Sequence, residues 1–148
     1  MTAVGVESQI TEALLQRLAA LVDTGAPLAA WPVASPDVTF PPKGQIKPDQ
    51  WIEAAILRAQ TQGIGINAWD EHAGIFQVTV VTKQNPAGGT KTPTQFADAV
   101  AAWFSRDTNI VNGAVTVRID QKPAIASPIP DAPYTRTPVS IRYRTFVR

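Results

Sequence analysis

Apolar residues recur at Ile10, Leu14, Leu18 and Leu21, with Ala13, Leu15 and Val22 beside them and Glu12, Gln16 and Arg17 between. Spacings of three and four place them on one face and predict an amphipathic helix from Ser8 to about Thr24. Gly25 and Pro27 then supply the usual stop. From Ala26 to Pro48 the periodicity is lost to Pro27, Pro32, Pro36, Pro41, Pro42 and Pro48. Proline cannot donate to a ladder, so this stretch reads as a wrapped, extended segment with only Asp37 to Phe40 as a short strand.

Trp51 to Arg58 mixes helix and strand formers, but eight residues bounded by Pro48 and the Gly63 and Gly65 region make a poor helix, and a strand is expected. Phe76, Val78 and Val80 alternate with Gln77 and Thr79, which predicts a half-buried strand over Ile75 to Thr82 pairing back on Trp51 to Arg58. Lys83 to Lys91 has two adjacent glycines and no large apolar anchor, and is expected to be a mobile loop. Thr92 as cap, Pro93 at the first helical position and Gln95 predict a helix to about Phe104, with Phe96, Ala99, Val100, Trp103 and Phe104 inward. The Asn112-Gly113 pair leads into a strand over Ala114 to Asp120, where Val115, Val117 and Ile119 alternate. Gln121 to Pro138 holds five prolines and reads as a long connection. Val139, Ile141, Tyr143 and Val147 then alternate with Ser140, Arg142, Arg144 and Arg148, a closing strand with one basic face. The expected fold is α+β, a single domain over residues 1–148 with two helices packed on a mostly antiparallel sheet of about four to five strands.

The absence of cysteine removes disulfides, thiolate metal sites and cysteine nucleophiles. The net charge of +1 hides an asymmetry: Tyr134 to Arg148 carries four arginines and no acid. No stretch approaches the roughly 18 apolar residues of a membrane span, and no signal peptide opens the chain, so synthesis in the cytoplasm and no membrane partner are expected.

Catalytic chemistry is hard to assemble. Asp70, Glu71 and His72 are adjacent, but neighbouring side chains on a regular element diverge and the chain has one histidine, so a polar turn before a strand is the preferred reading. Gly88-Gly89-Thr90-Lys91-Thr92 resembles a phosphate-binding loop only superficially, since Thr90 stands where glycine should precede the lysine. The serines lie in no nucleophile-elbow pattern. Neither catalytic residues, a metal site nor a cofactor is assigned. The arginine face suits phosphates, an acidic protein surface or water. Trp31, in a segment too extended to form its own core, is either pinned on the domain or held by a partner.

Ile10, Ala13, Leu14, Arg17 and Leu18, then Ala30-Trp31-Pro32, Phe40-Pro41-Pro42 with Gly44, and Trp51-Ile52 resemble the opening helix and aromatic-proline section of bacteriophage tail terminator proteins, the group that includes the minor tail protein U of lambda-like phages. The likeness continues through the Phe76, Val78 and Val80 strand, the loop, the second helix and the closing strands. It implies a structural virion protein that assembles as a ring, by analogy of six copies, on the head-proximal end of a long-tailed phage tail. The ring stops tube growth and offers the surface to which the head attaches. The implied partners are further copies of itself, the tail tube protein, a head-completion or connector protein and, transiently, passing DNA; no cofactor is implied. The loop residues Lys83, Gln84, Asn85, Gly88, Gly89 and Lys91 are expected against the tube or lumen, and Trp31, Phe40, Arg142, Arg144 and Arg148 at subunit or DNA-facing surfaces. Another head-tail connector or neck component is the nearest alternative, a small nucleic-acid-binding domain a more distant one, and an enzyme the weakest.

Overall fold

A computed structural model describes residues 5–24, 28–65, 68–84 and 91–147. Helix α1 spans Val6–Thr24 and α2 Lys91–Trp103. The strands are β1 (Val33–Ala34), β2 (Gln50–Arg58), β3 (Gln62–Ile64), β4 (Trp69–Lys83), β5 (Asn109–Asn112), β6 (Val115–Ile119), β7 (Ala124–Ile125), β8 (Ile129–Asp131) and β9 (Tyr134–Val147). They form one sheet in the order β1-β2-β4-β9-β6-β5, with β3 on β4 and β7 and β8 on β9. All pairings are antiparallel except β1 with β2.

The α+β class and both helices agree with the sequence expectation, but the described sheet has nine strands rather than four to five. The short strands β3, β5, β7 and β8 make up the difference, and β4 and β9 are longer than expected. β4 begins at Trp69, so Asp70, Glu71 and His72 lie within a strand and not in a preceding turn; backbone pairing with β3 and β9 holds them there. β9 begins at Tyr134 and passes through Pro138, which faces Thr79 in the ladder with β4. The expected long connection is thus partly sheet, and its pieces β7 and β8 fold back along β9. The short strand expected over Asp37 to Phe40 is instead Val33–Ala34, while Asp37 adopts a left-handed φ of 58° that belongs to a turn. The second helix starts at Lys91, one residue before the anticipated cap, and Thr92 lies in its first turn. β2 pairs with β4 in the expected register region, Ile52 opposite Val80 and Ile56 opposite Phe76.

Period-two alternation divides the sheet into two faces. Ile52, Phe76, Val78, Val80, Val117, Ile141 and Tyr143 point inward and bury under Ile10, Leu14 and Leu18 of α1 and Ala97 and Val100 of α2. The sheet curls enough that α1 reaches both of its sides: Asn112 Nδ2 donates to the Gln9 carbonyl at 3.0 Å near one edge, and Arg58 Nη2 donates to Thr11 Oγ1 at 2.9 Å near the other. The two helices are joined by Arg17 and Trp103. The Arg17 guanidinium donates to the Trp103 carbonyl, the Trp103 indole donates to the Arg17 carbonyl, each at 2.8 Å, and the guanidinium stacks 4.2 Å from the indole centre.

Candidate functional site

Trp31 is 6% exposed, with its ring 4.7 Å from Phe96 of α2. It pins the proline-rich segment into the subunit's own core, so the expectation that it faces a partner is replaced by an internal seat, driven by burial of a large indole. A second aromatic cluster fixes the same segment on the opposite face of the sheet. Trp51 is fully buried there between Phe40 at 5.6 Å and Tyr134 at 4.8 Å, and Lys47 Nζ stands 5.0 Å from both the Trp51 and Tyr134 rings. Phe40 therefore covers Trp51, half-buried. Trp51 Nε1 donates to Glu53, which also receives Arg136. Arg136 is held above its ordinary pKa by hydrogen bonding to Asp131 first and to Glu53 second, against a lowering by burial.

This cluster carries the turn of Pro42 to Lys47, closed by a hydrogen bond from the Gln45 amide to the Pro42 carbonyl at 3.0 Å. The Lys83 amide donates to the Asp49 carbonyl and the Gln84 amide to the Pro133 carbonyl. The exposed residues Lys83 and Gln84 thus share one end of the molecule with Lys43 and Lys47. Asn85, Gly88 and Gly89 lie outside the described residues, as do Arg148 and the side chain of Lys91.

The arginines of the last strand do not form one uniform basic surface. Arg144 lies 3.1 Å from Glu71 and 3.4 Å from Asp120, and is occupied within the subunit. Arg118, directly opposite Arg144 in the ladder, is neutralised by Asp107 at 2.7 Å. That bond holds the Asp107 carboxyl below its ordinary range and raises Arg118. Arg142 is exposed, with no side-chain partner among the described residues. The arrangement leaves one arginine of the described strand ready for an external anion, with a countercharge already beside its neighbours. Sequence reading passed over the apolar residues next to this face: Trp69, Phe146 and Leu57 are all substantially exposed, and Arg144 sits 5.9 Å from the Phe146 ring. The signal for them was available in the alternation of β9, which puts Phe146 on the face of Arg142 and Arg144.

His72 is accounted for structurally. Its Nδ1 lies 2.8 Å from Glu7, whose other oxygen accepts from Arg58 at 3.1 Å, so the trio clamps the start of α1 to β2 and β4. Glu71, on the opposite face, meets Arg144 instead. Among the described residues no group of three histidine, cysteine or acidic side chains is placed to hold a metal, and no helix is long and apolar enough to cross a membrane.

Residues 9–143 match the family model described as phage tail terminator protein. The chain belongs to the phage tail terminator family. Its match includes α1 from Gln9 onward, both aromatic clusters and β9 as far as Tyr143. The fold recurs in a solved chain whose name describes no function, with TM-score 0.73, 22% identity and 94% of each chain covered. It recurs also in a chain from the virion of native gene transfer agent (GTA) particle, with TM-score 0.61, 15% identity, and 98% of this chain and 100% of that one covered. Among curated proteins none matches the sequence. Family membership gives this terminator a structural role in the phage tail.

Proposed function

We propose that the protein caps the head-proximal end of a tail tube as a ring, by analogy of six copies, ends tube polymerisation and presents the surface to which a head-completion or connector protein attaches. The family match over residues 9–143 carries this reading. The end of the subunit bearing Lys83, Gln84 and the Pro42 to Lys47 turn is assigned to the tube or lumen, together with Asn85, Gly88, Gly89 and Lys91. Arg142 is assigned to an acidic group of a neighbour or to DNA passing through the ring. No reaction or cofactor is assigned. Two different surface patches meeting head to tail generate a ring when the rotation closes, which is the symmetry this role requires.

Sedimentation of the protein with tubes of graded length tests the reading. End capping gives a bound amount that follows the number of tube ends and is independent of length. Binding in proportion to tube length would contradict it.

A further inference from the structure

β2 has an unfinished edge. β1 covers it only at Ile52 and Glu53, because the chain leaves the sheet after Ala34. From Ala54 to Arg58 no described strand lies on that side. The edge residues Ala54, Ala55, Ile56 and Leu57 include no proline or charge, although exposed edges are ordinarily protected by such residues. Beside the edge runs a groove of about 660 Å³ between β2, α1 and the segment 34–40, with Leu15, Val38 and Ile56 as apolar lining and Asp37 as its acid without a bound partner among the described residues, since Glu53 is held by Arg136 and Trp51. Glu12 lines the adjoining depression along α1. The groove's one arginine, Arg58, is tied to Glu7 and Thr11. Its unspoken preference is therefore for an extended segment with an apolar side chain flanked by positive charge.

The same chain displays such a segment elsewhere. Gln45 to Lys47 follows the turn closed at Gln45, lies in no helix or strand and is exposed, and Ile46, 93% exposed, is the most exposed large apolar residue described. Lys43 and Lys47 flank it, and the packing of Lys47 on Trp51 and Tyr134 holds the segment's base. We infer that the Gln45 to Lys47 segment of one copy adds to the β2 edge of a second copy, seating Ile46 against Leu15 and Ile56 with Lys43 toward Asp37. Backbone hydrogen bonds supply the register, the isoleucine supplies the apolar anchor, and opposite charges orient the pair. Knob and groove are distinct patches, so the contact is head to tail. The inference rests on the ring reading and names the contact from which that ring is built.

The cysteine-free sequence permits a direct test. Gln45→Cys and Ser35→Cys proteins, which keep Ile46 as the anchor and place one thiol beside it and the other on the groove lining, are mixed in equal amounts and treated with a short bismaleimide, both on purified tail tubes and in concentrated solution. The expected product is the mixed dimer, in excess over either homodimer, in at least one setting. An Ala55→Cys protein in place of Ser35→Cys repeats the test at a second groove position. Adding Lys43→Glu to the Gln45→Cys protein should reduce the mixed product, and Asp37→Lys on the groove protein should restore it. Homodimers alone, linkage to tube protein, or no mixed product in either setting overturns the contact. Negative-stain images of the same samples separate the two claims: rings without the mixed product leave the ring reading standing and remove this contact, whereas bare tube ends without it remove both.

Discussion

Gly74 is the position where the sheet leaves least room. A Cβ there would lie 2.5 Å from the Leu57 carbonyl oxygen of β2, 2.6 Å from the Tyr143 hydroxyl and 2.9 Å from its Cζ. Tyr143 is the cross-strand partner of Gly74 and is 2% exposed, so its ring occupies the space that the glycine leaves. Gly74→Ala must push back both a main-chain carbonyl in the β2–β4 ladder and a buried ring. Overpacking of this kind costs about 1–3 kcal/mol, and two unyielding neighbours place Gly74→Ala near the upper end. The unfolded-state gain of replacing glycine returns only about 0.4–1 kcal/mol where the backbone tolerates it. The expected net loss is about 2–3 kcal/mol, or roughly 4–12 °C in melting temperature for a chain of this size. Urea denaturation at neutral pH measures it. The Tyr143 hydroxyl has no hydrogen-bond partner among the described residues, so Tyr143→Phe should be neutral or stabilising. In that background Gly74→Ala should cost less, because one of the three close approaches is gone, but not vanish, because the Leu57 carbonyl remains. A Gly74→Ala protein within about 0.5 kcal/mol of the parent would refute the reasoning, since that is the range of an unconstrained surface change.

Burial, with the negative charge of Glu7 second and Arg58 opposing, pushes the Tyr143 phenol up to about 12. The unfolded chain ionises near 10, so the stability from keeping Tyr143 neutral is full below pH 10 and is lost as pH rises toward 12; denaturation of the parent and Tyr143→Phe across that window should show a steeper alkaline loss in the parent. Trp31→Ala should cost about 3–5 kcal/mol in denaturant unfolding, whereas a partner-held, dispensable Trp31 would predict almost no change in the isolated subunit. Arg17→Ala removes the bond to the Trp103 carbonyl and the stacking on its ring, for an expected loss of about 1–3 kcal/mol. Arg17→Lys should recover only part of it, because lysine cannot reproduce the planar stack.

What could be read from the chain was what periodicity writes locally. The Ile10, Leu14 and Leu18 stripe does bury against the sheet, and Phe76, Val78 and Val80 do share the inward face with Ile141 and Tyr143. The N-terminal part of β4 was hidden because Asp70 to His72 carries no apolar alternation; backbone pairing on both sides, the His72 contact with Glu7 and the ion pair of Glu71 with Arg144 stabilise it instead. Pro138 obscured the start of β9, although a strand can pass through a proline where the missing amide is not required by the ladder. The candidate surfaces were less legible. Arg144 looked equivalent to Arg142 along the strand, but its acids Glu71 and Asp120 come from elsewhere in the sequence. The packing of Phe40 and Tyr134 on Trp51 joins three distant segments, and the proximity of the Lys43 to Lys47 turn to Lys83 follows from it and from the bond between Lys83 and Asp49.

The most direct test of the terminator account is negative-stain microscopy of the protein mixed with purified tail tubes from its own phage and with free tube subunits added afterwards. The account predicts a ring at one end of each tube and a tube length that then stays fixed. Tubes that continue to elongate, with no ring at either end, would contradict it and favour a connector or neck component.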